Sequence, residues 1–113
     1  MNLYFDKDGT PIDVITWGVL FENQDYKVVD QTELDNGVFV STVWLGLNHG
    51  FGKKKEIFET MVFPEKGNYS EVDCKRYATL SEAKKGHGTM VRKWRRRVTS
   101  ETERRIRTAQ GKE

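Results

Sequence analysis

The sequence is short of cysteine and of long hydrophobic runs, and each shortage excludes a class of protein. With Cys74 as its only thiol, the chain cannot form an intrachain disulfide, which fits a reducing compartment. No apolar stretch approaches the roughly 18–20 residues needed to span a bilayer. The start, Met1-Asn2-Leu3-Tyr4-Phe5-Asp6, has neither the basic region nor the apolar stretch of a signal peptide. We therefore expect a cytoplasmic protein of one domain, with Cys74 as a half-buried small residue.

Motifs for catalysis and metal binding are also missing. His49 and His87 have no histidine or cysteine partner at the spacing of metal ligands. The glycine-rich, basic loop from Gly46 to Lys55 lacks the Gly-x-x-x-x-Gly-Lys-Ser/Thr spacing of a phosphate-binding loop. No Ser/His/Asp or Cys/His arrangement is supported. We therefore expect no catalytic residue, no metal and no cofactor, and favour a protein that is not an enzyme.

What the sequence does have is a segregated charge. Residues 1–83 contain 8 Lys/Arg and 14 Asp/Glu, a net charge of −6. Residues 84–113 contain 11 Lys/Arg and 3 Asp/Glu, a net charge of +8, so the formal total is only +2. An acidic body is thus joined to a basic C-terminal arm, and such an arm attracts polyanionic or acidic partners.

The first helix is predicted from Thr10-Pro11, which resembles an N-cap followed by proline at the first helical position. Residues 12–21 follow with two apolar stripes. One stripe contains Ile12, Ile15 and Val19, and the other contains Trp17, Leu20 and Phe21. Two stripes predict a helix that is buried around much of its circumference.

A β-hairpin is predicted where two β-rich runs, residues 26–34 and 38–47, flank Asp35-Asn36-Gly37. The second run is apolar on both of its faces, which is typical of a central strand. Residues 57–63 predict another strand that ends at Pro64, and residues 72–78 predict a fourth or edge strand.

A second helix begins at the capping-box pattern Thr79-Leu80-Ser81-Glu82. Its apolar face is predicted to pack on the sheet and contains Ala83, His87, Met90, Val91, Trp94 and Val98. His87 on this face is best interpreted as a hydrogen-bonded core histidine. The predicted fold class is α+β, with a small, mostly antiparallel sheet of three or four strands packed by two helices. Residues 1–98 form the domain, and residues 99–113 form a basic helical extension.

The first candidate site is the basic part of the second helix. It contains Arg92, Lys93, Arg95, Arg96 and Arg97. Guanidinium groups bind phosphate in a bidentate manner, and counterion release then adds affinity. An acidic protein surface and a merely solvated helix face explain the same charges, and the sequence does not separate the three.

A second candidate is a pocket or contact surface formed by Trp44, His49, Phe51, Glu59 and Arg76. If Glu59 faces the same side of the sheet as Trp44, it is a buried carboxylate suited to binding a small ligand or to acid–base chemistry. We favour the simpler interpretation, a cross-strand ion pair with Lys27 or Arg76. Phe51 lies between two glycines and is a candidate contact residue at a loop tip.

Two longer segments resemble a family of small, uncharacterised phage and prophage proteins. These segments are Val40-Ser41-Thr42-Val43-Trp44-Leu45-Gly46-Leu47-Asn48-His49 and Ile57-Phe58-Glu59-Thr60-Met61-Val62-Phe63. Shorter likenesses at Asp8-Gly9-Thr10-Pro11-Ile12, Arg76-Tyr77-Ala78-Thr79 and Gly86-His87 extend the resemblance over roughly residues 4 to 94. The resemblance implies a phage context and transfers no catalytic residue. Members commonly end near Trp94, so relative to them the basic tail is an addition.

These observations lead to one favoured function and two alternatives. The favoured function is a small non-enzymatic accessory protein that binds a host or phage macromolecule, with a protein partner or self-association preferred. If the protein is phage-encoded, it acts in the host cytoplasm. The alternatives are a nucleic-acid-binding regulator that uses the basic helix, and a small-ligand or nucleotide-binding protein or enzyme with a pocket near Trp44 and Glu59.

Overall fold

The computed structural model describes residues 3–35, 37–48 and 55–111, with side chains as far as Arg97. Six strands are described: β1 (Tyr4–Phe5), β2 (Pro11–Ile12), β3 (Val28–Glu33), β4 (Phe39–Trp44), β5 (Phe58–Phe63) and β6 (Asp73–Tyr77). The helices are α1 (Val14–Glu22), the single turn α2 (Gln24–Lys27) and the long α3 (Leu80–Gly111). The α+β fold class is confirmed.

The main sheet has four antiparallel strands in the order β3-β4-β5-β6, which is also their order in the chain. The predicted hairpin joins β3 to β4, and Gly37 there has a φ of +94°, a conformation that favours glycine. β4 is a central strand and β6 is an edge strand, as predicted. β1 and β2 form a separate two-stranded antiparallel sheet.

The start of α1 differs from the prediction. Pro11 and Ile12 are not helical but pair with Phe5 and Tyr4 in the small sheet. The turn before them is closed by the Asp6 carboxylate, which accepts hydrogen bonds from the backbone N–H groups of Asp8 and Thr10 at 2.9 Å. The helix therefore begins at Val14, three residues after the predicted first helical position, and the Asp13 side chain serves as the N-cap by accepting from the Thr16 N–H at 2.7 Å.

The burial of α1 was also predicted wrongly. Within α1, only the stripe with Trp17, Leu20 and Phe21 packs against the core, while Ile12 of the other stripe packs there from β2. The other side of the helix faces solvent, and Ile15 is 77% exposed there. Both stripes are apolar, but α1 lies at the edge of the domain, so only one side of the helix contacts the core.

The helix α3 packs across one face of the main sheet, which we call the covered face. The covered face presents the side chains of Val40, Thr42, Trp44, Phe58, Thr60, Val62 and Tyr77. Ala83, His87 and Met90 of α3 are buried against it, and Val91 and Trp94 are half-buried, as the sequence pattern predicted. Two clusters make the core, one around Trp44 and Phe58 and the other around Val40 and Met90.

The capping box at the start of α3 is present in altered form. The Thr79 hydroxyl accepts from the Glu82 N–H at 3.1 Å, but the Glu82 carboxylate reaches the N–H of Ala78 instead of that of Thr79. The helix then continues without interruption through residue 98 to Gly111. The part beyond Trp94 is about 25 Å long at 1.5 Å per residue. Within the described ranges, no helix combines the length and apolar character needed to cross a membrane.

Candidate functional site

The other face of the main sheet, which we call the open face, carries an apolar surface that no helix of the described residues covers. Its apolar residues are Val28, Phe39, Val43, Leu45, Met61 and Phe63. Antiparallel sheets with one solvated side usually alternate apolar-in with polar-out, so that the outer side is polar. Here the outer side of the two central strands is largely apolar, with Ser41 and Glu59 as its polar residues, and it forms a shallow groove of about 580 Å³.

The groove has a cation at each end. Lys27 lies at the Leu45 end, with its Nζ 3.7 Å from the centre of the Phe21 ring, and partial burial lowers its pKa. Lys66 lies at the Phe39 end, with its Nζ 6.0 Å from the centre of the Phe39 ring. Tyr69 stands beside Lys66, edge-on to Phe63 and 84% exposed. A large aromatic side chain exposed to this degree beside an apolar groove is typical of a contact residue.

Glu59 lies in the groove but its charge is already neutralised. The residue is 5% exposed, and its Oε2 accepts from the Arg76 Nε–H at 2.9 Å. The predicted cross-strand pair with Arg76 is therefore confirmed. The register also pairs Glu59 with Val43 and Phe58 with Trp44, which places Glu59 on the open face and Trp44 on the covered face. The two residues do not line a common pocket.

Cys74 is exposed, not half-buried as we expected, because it lies on the edge strand β6 and faces the open side. Its sulfur nevertheless sits beside the buried carboxylate and donates to Glu59 Oε2 at 3.4 Å. Desolvation, together with the negative charge of Glu59, raises the pKa of the Cys74 thiol to about 12. At neutral pH the nucleophilic thiolate is therefore essentially absent.

A polar network lies on the covered face, between the sheet and α3. The His87 Nδ1 is 2.7 Å from the Thr42 hydroxyl, and its Nε2 is 2.9 Å from the Thr32 hydroxyl. Thr42 in turn lies 2.5 Å from the Thr60 hydroxyl, and the Asp30 carboxylate is 3.7 Å from the His87 Nε2. Asp30, His87 and Thr42 place a carboxylate, an imidazole and a hydroxyl next to one another, as in a nucleophilic triad. Thr42 is completely buried, however, so no substrate reaches its hydroxyl. The network is structural, as predicted for His87.

The burial of His87 in this network predicts that the free energy of unfolding depends on pH. Burial lowers the pKa of His87, and Asp30 only partly opposes the shift. Below about pH 6.5, His87 is therefore protonated in the unfolded chain but still neutral in the folded protein. The free energy of unfolding consequently falls as the pH decreases towards the pKa of His87 in the folded protein. Urea unfolding between pH 7.5 and 5 should show this fall. A His87→Gln variant should lose it, and equal slopes for the two proteins would contradict the assignment.

The basic residues of α3 are not equally available. Lys93 Nζ and Trp94 Nε1 both donate to Asp73 Oδ2, at 2.7 and 2.9 Å. Partial burial opposes ionisation of Asp73, but these hydrogen bonds outweigh it and lower its pKa. Arg97 lies over the Trp94 ring at 5.2 Å, and Arg92 donates to the Thr89 hydroxyl at 3.3 Å. Arg95 and Arg96 of the predicted basic site are exposed.

The open face is the feature that the sequence interpretation missed. A signal for it was present, because residues 39–45 alternate two apolar sets, but this pattern was used only to predict a central strand. Two predicted site residues, His49 and Phe51, lie outside the described residues. Within the described part of the chain, no group of three His, Cys, Asp or Glu side chains is placed to hold a metal ion. Comparison of the chain with protein-family models, curated proteins and solved structures gives no match.

Proposed function

We propose that this protein is a non-enzymatic accessory protein that binds a partner protein through the open face of its sheet. The observation that carries the proposal is the apolar groove on the solvent side of β4 and β5, bordered by the exposed Tyr69. Covering such a surface removes apolar area from water, at roughly 25 cal/mol per Å². The resemblance over residues 4–94 supports a phage or prophage setting, and hence action in the host cytoplasm.

The polar groups of the described residues favour binding over catalysis. Thr42 and His87 are enclosed between the sheet and α3, so their hydroxyl and imidazole meet no substrate. On the open face, Glu59 is held by Arg76, and the Cys74 thiol is held by Glu59. A general base or nucleophile must reach a substrate in a reactive protonation state, and neither cluster offers such a group.

Binding of nucleic acid by the basic helix is the second candidate. The uninterrupted course of α3 to Gly111 favours it, because the helix carries its charge away from the acidic body. We place it second because Lys93 and Arg97 already contact Asp73 and Trp94. The described part of the helix also offers no exposed aromatic side chain on which a base could stack.

Site-specific photo-crosslinking tests the proposal. A photoreactive phenylalanine at Tyr69, in the full chain produced in its own host cell, should crosslink one partner polypeptide. The same group at Lys85, which is exposed on the helix layer, is the matched control and should not. Adding Met61→Glu to the Tyr69 variant places a charge on the groove floor and should abolish the product.

Three results would overturn the proposal. One is a product that forms equally from Lys85, and another is a product that persists in the Met61→Glu variant. The third is a crosslinked dimer of this chain alone, which would make the open face a contact between copies. A probe at Ile15 separates the open face from the exposed apolar side of α1.

A further inference from the structure

The backbone of the open face determines what kind of segment can cover it. An extended peptide gains its main-chain hydrogen bonds at the edge of a sheet, where N–H and C=O groups are unpaired. The groove instead lies over β4 and β5, the two central strands, which are paired on both sides. A segment that lies there must satisfy its own backbone, and an α-helix with one apolar face does so.

The dimensions of the groove fit a short helix. Its floor follows β4 from Leu45 to Phe39, about 20 Å at roughly 3.4 Å per residue. A helix of this length has about 13 residues at 1.5 Å per residue. Gln24 and Lys27 border one end, and Lys66, Gly67 and Tyr69 border the other. The opposite face of the same sheet already packs a helix, so the sheet would lie between two helical layers.

The charges at the groove favour an acidic occupant. None of the three ion pairs recorded among the described residues includes Lys27 or Lys66, so both ammonium groups lack a carboxylate partner there. The one carboxylate that lines the groove, Glu59, is paired with Arg76. A ligand with negative charges flanking its apolar stripe would pair with the two lysines, whereas a basic ligand would be repelled.

The same charges argue against a second copy of this chain. Because both ends of the groove are cationic, a two-fold arrangement that lays two grooves along each other brings one lysine end against another. The basic arm of another copy is disfavoured for the same reason. Like charges brought together at an interface cost affinity and suppress the wrong partner.

We propose that the open face binds an acidic amphipathic helix of about 13 residues, supplied by a different protein. This inference rests on the proposed function and adds the secondary structure and the charge of the docking segment. Lys27 and Lys66 set the preference for an acidic segment, and the apolar floor of β4 and β5 supplies the contact area.

Methyl NMR with model peptides tests this inference on the full chain. The probes are three helix-forming 15-residue peptides with leucine at the same positions, and with glutamate, glutamine or lysine at the others. The Met61 methyl group reports the groove, while the Met90 methyl group, buried between α3 and the covered face, is the internal control for folding. The glutamate peptide should shift Met61 and not Met90, and should bind up to about tenfold more tightly than the glutamine peptide. The lysine peptide should leave Met61 unchanged.

Charge reversal is the decisive variant. Lys27→Glu/Lys66→Glu should reverse the order of the glutamate and lysine peptides at Met61, and Lys27→Gln/Lys66→Gln should remove the difference. Lys85→Glu, on the helix layer, is the matched control and should leave the order unchanged. A glutamate peptide that binds only the basic arm would leave Met61 unmoved and would count against the inference.

The outcomes distinguish the two proposals. Equal shifts of Met61 with all three peptides would leave the docking surface intact and overturn its preference for an acidic segment. If no peptide shifts Met61 while the Tyr69 probe still crosslinks a partner, the docking surface stands and the helical occupant is wrong. If both the NMR shift and the crosslink are absent, the proposed function fails together with the inference.

Discussion

Replacing Trp44 with alanine is expected to lower the free energy of unfolding by about 3–5 kcal/mol, the usual cost of truncating a fully buried tryptophan. The residue is 0% exposed. Its indole N–H donates to the Phe5 carbonyl at 3.0 Å, and the Tyr26 ring meets it edge-on at 4.9 Å. Trp44 thus joins the small sheet and α2 to the main sheet. Urea unfolding followed by circular dichroism measures the change.

Two controls sharpen the Trp44 prediction. Trp44→Phe keeps an aromatic ring but leaves the Phe5 carbonyl without its donor, so the loss should be smaller than that of Trp44→Ala. Trp94→Ala removes a half-buried ring at the edge of the covered face and should also cost less. A Trp44→Ala variant no less stable than Trp94→Ala would show that the core is not centred on Trp44.

Gly86→Ala is expected to destabilise the protein by about 1–3 kcal/mol, the range found for overpacking a core. The ordinary effect of this change inside a helix has the opposite sign, because alanine has a higher helix propensity than glycine by about 1 kcal/mol. At Gly86, however, a Cβ would overlap sterically with the ring of Tyr77, which packs directly on the helix backbone. Tyr77 lies at the end of β6 and is itself buried, so its ring cannot easily move away.

Gly18→Ala is the matched control for Gly86→Ala. Gly18 is also inside a helix, but apart from its own helix backbone and chain neighbours, no described atom lies within 4 Å of the position of its Cβ, so the change should stabilise α1. In a Tyr77→Leu background, Gly86→Ala should lose most of its cost, because the atoms that it meets are gone. The coupling is measured from the urea midpoints of the unmodified protein, Gly86→Ala, Tyr77→Leu and the double variant. Additive effects of the changes at Gly86 and Tyr77 would contradict the contact.

Local signals explain which parts of the fold were predictable. The Asn-Gly turn fixed the β3–β4 hairpin, because both the glycine conformation and the flanking β-rich runs are properties of neighbouring residues. The Thr79 cap and the apolar face through Trp94 placed α3 correctly for the same reason. The start of α1 was missed because Thr10-Pro11 is compatible with two local structures. Pairing with Tyr4 and Phe5, which the helical pattern does not report, decided between them.

The candidate site was predictable only in part, because it depends on how separate strands align. The alternation of side chains within β4 and within β5 can be read from each segment alone. Their relative register cannot, since a shift of one residue across the long connection between them exchanges the two faces. The pair of Glu59 with Arg76 was therefore a correct proposal, whereas the joint pocket of Glu59 with Trp44 was not. Exposure of α1 and Cys74 depends likewise on what covers them.

The order of the elements along the chain has a consequence for biosynthesis. All four strands of the main sheet precede α3, so they leave the ribosome before the helix that covers Val40 and Val62. Until Met90 has emerged, a nascent sheet would present apolar side chains on both faces, and such surfaces are prone to aggregate or to bind chaperones. Once α3 docks, only the open face keeps that character. Docking of α3 thus covers one apolar face of the main sheet and leaves the other exposed to solvent.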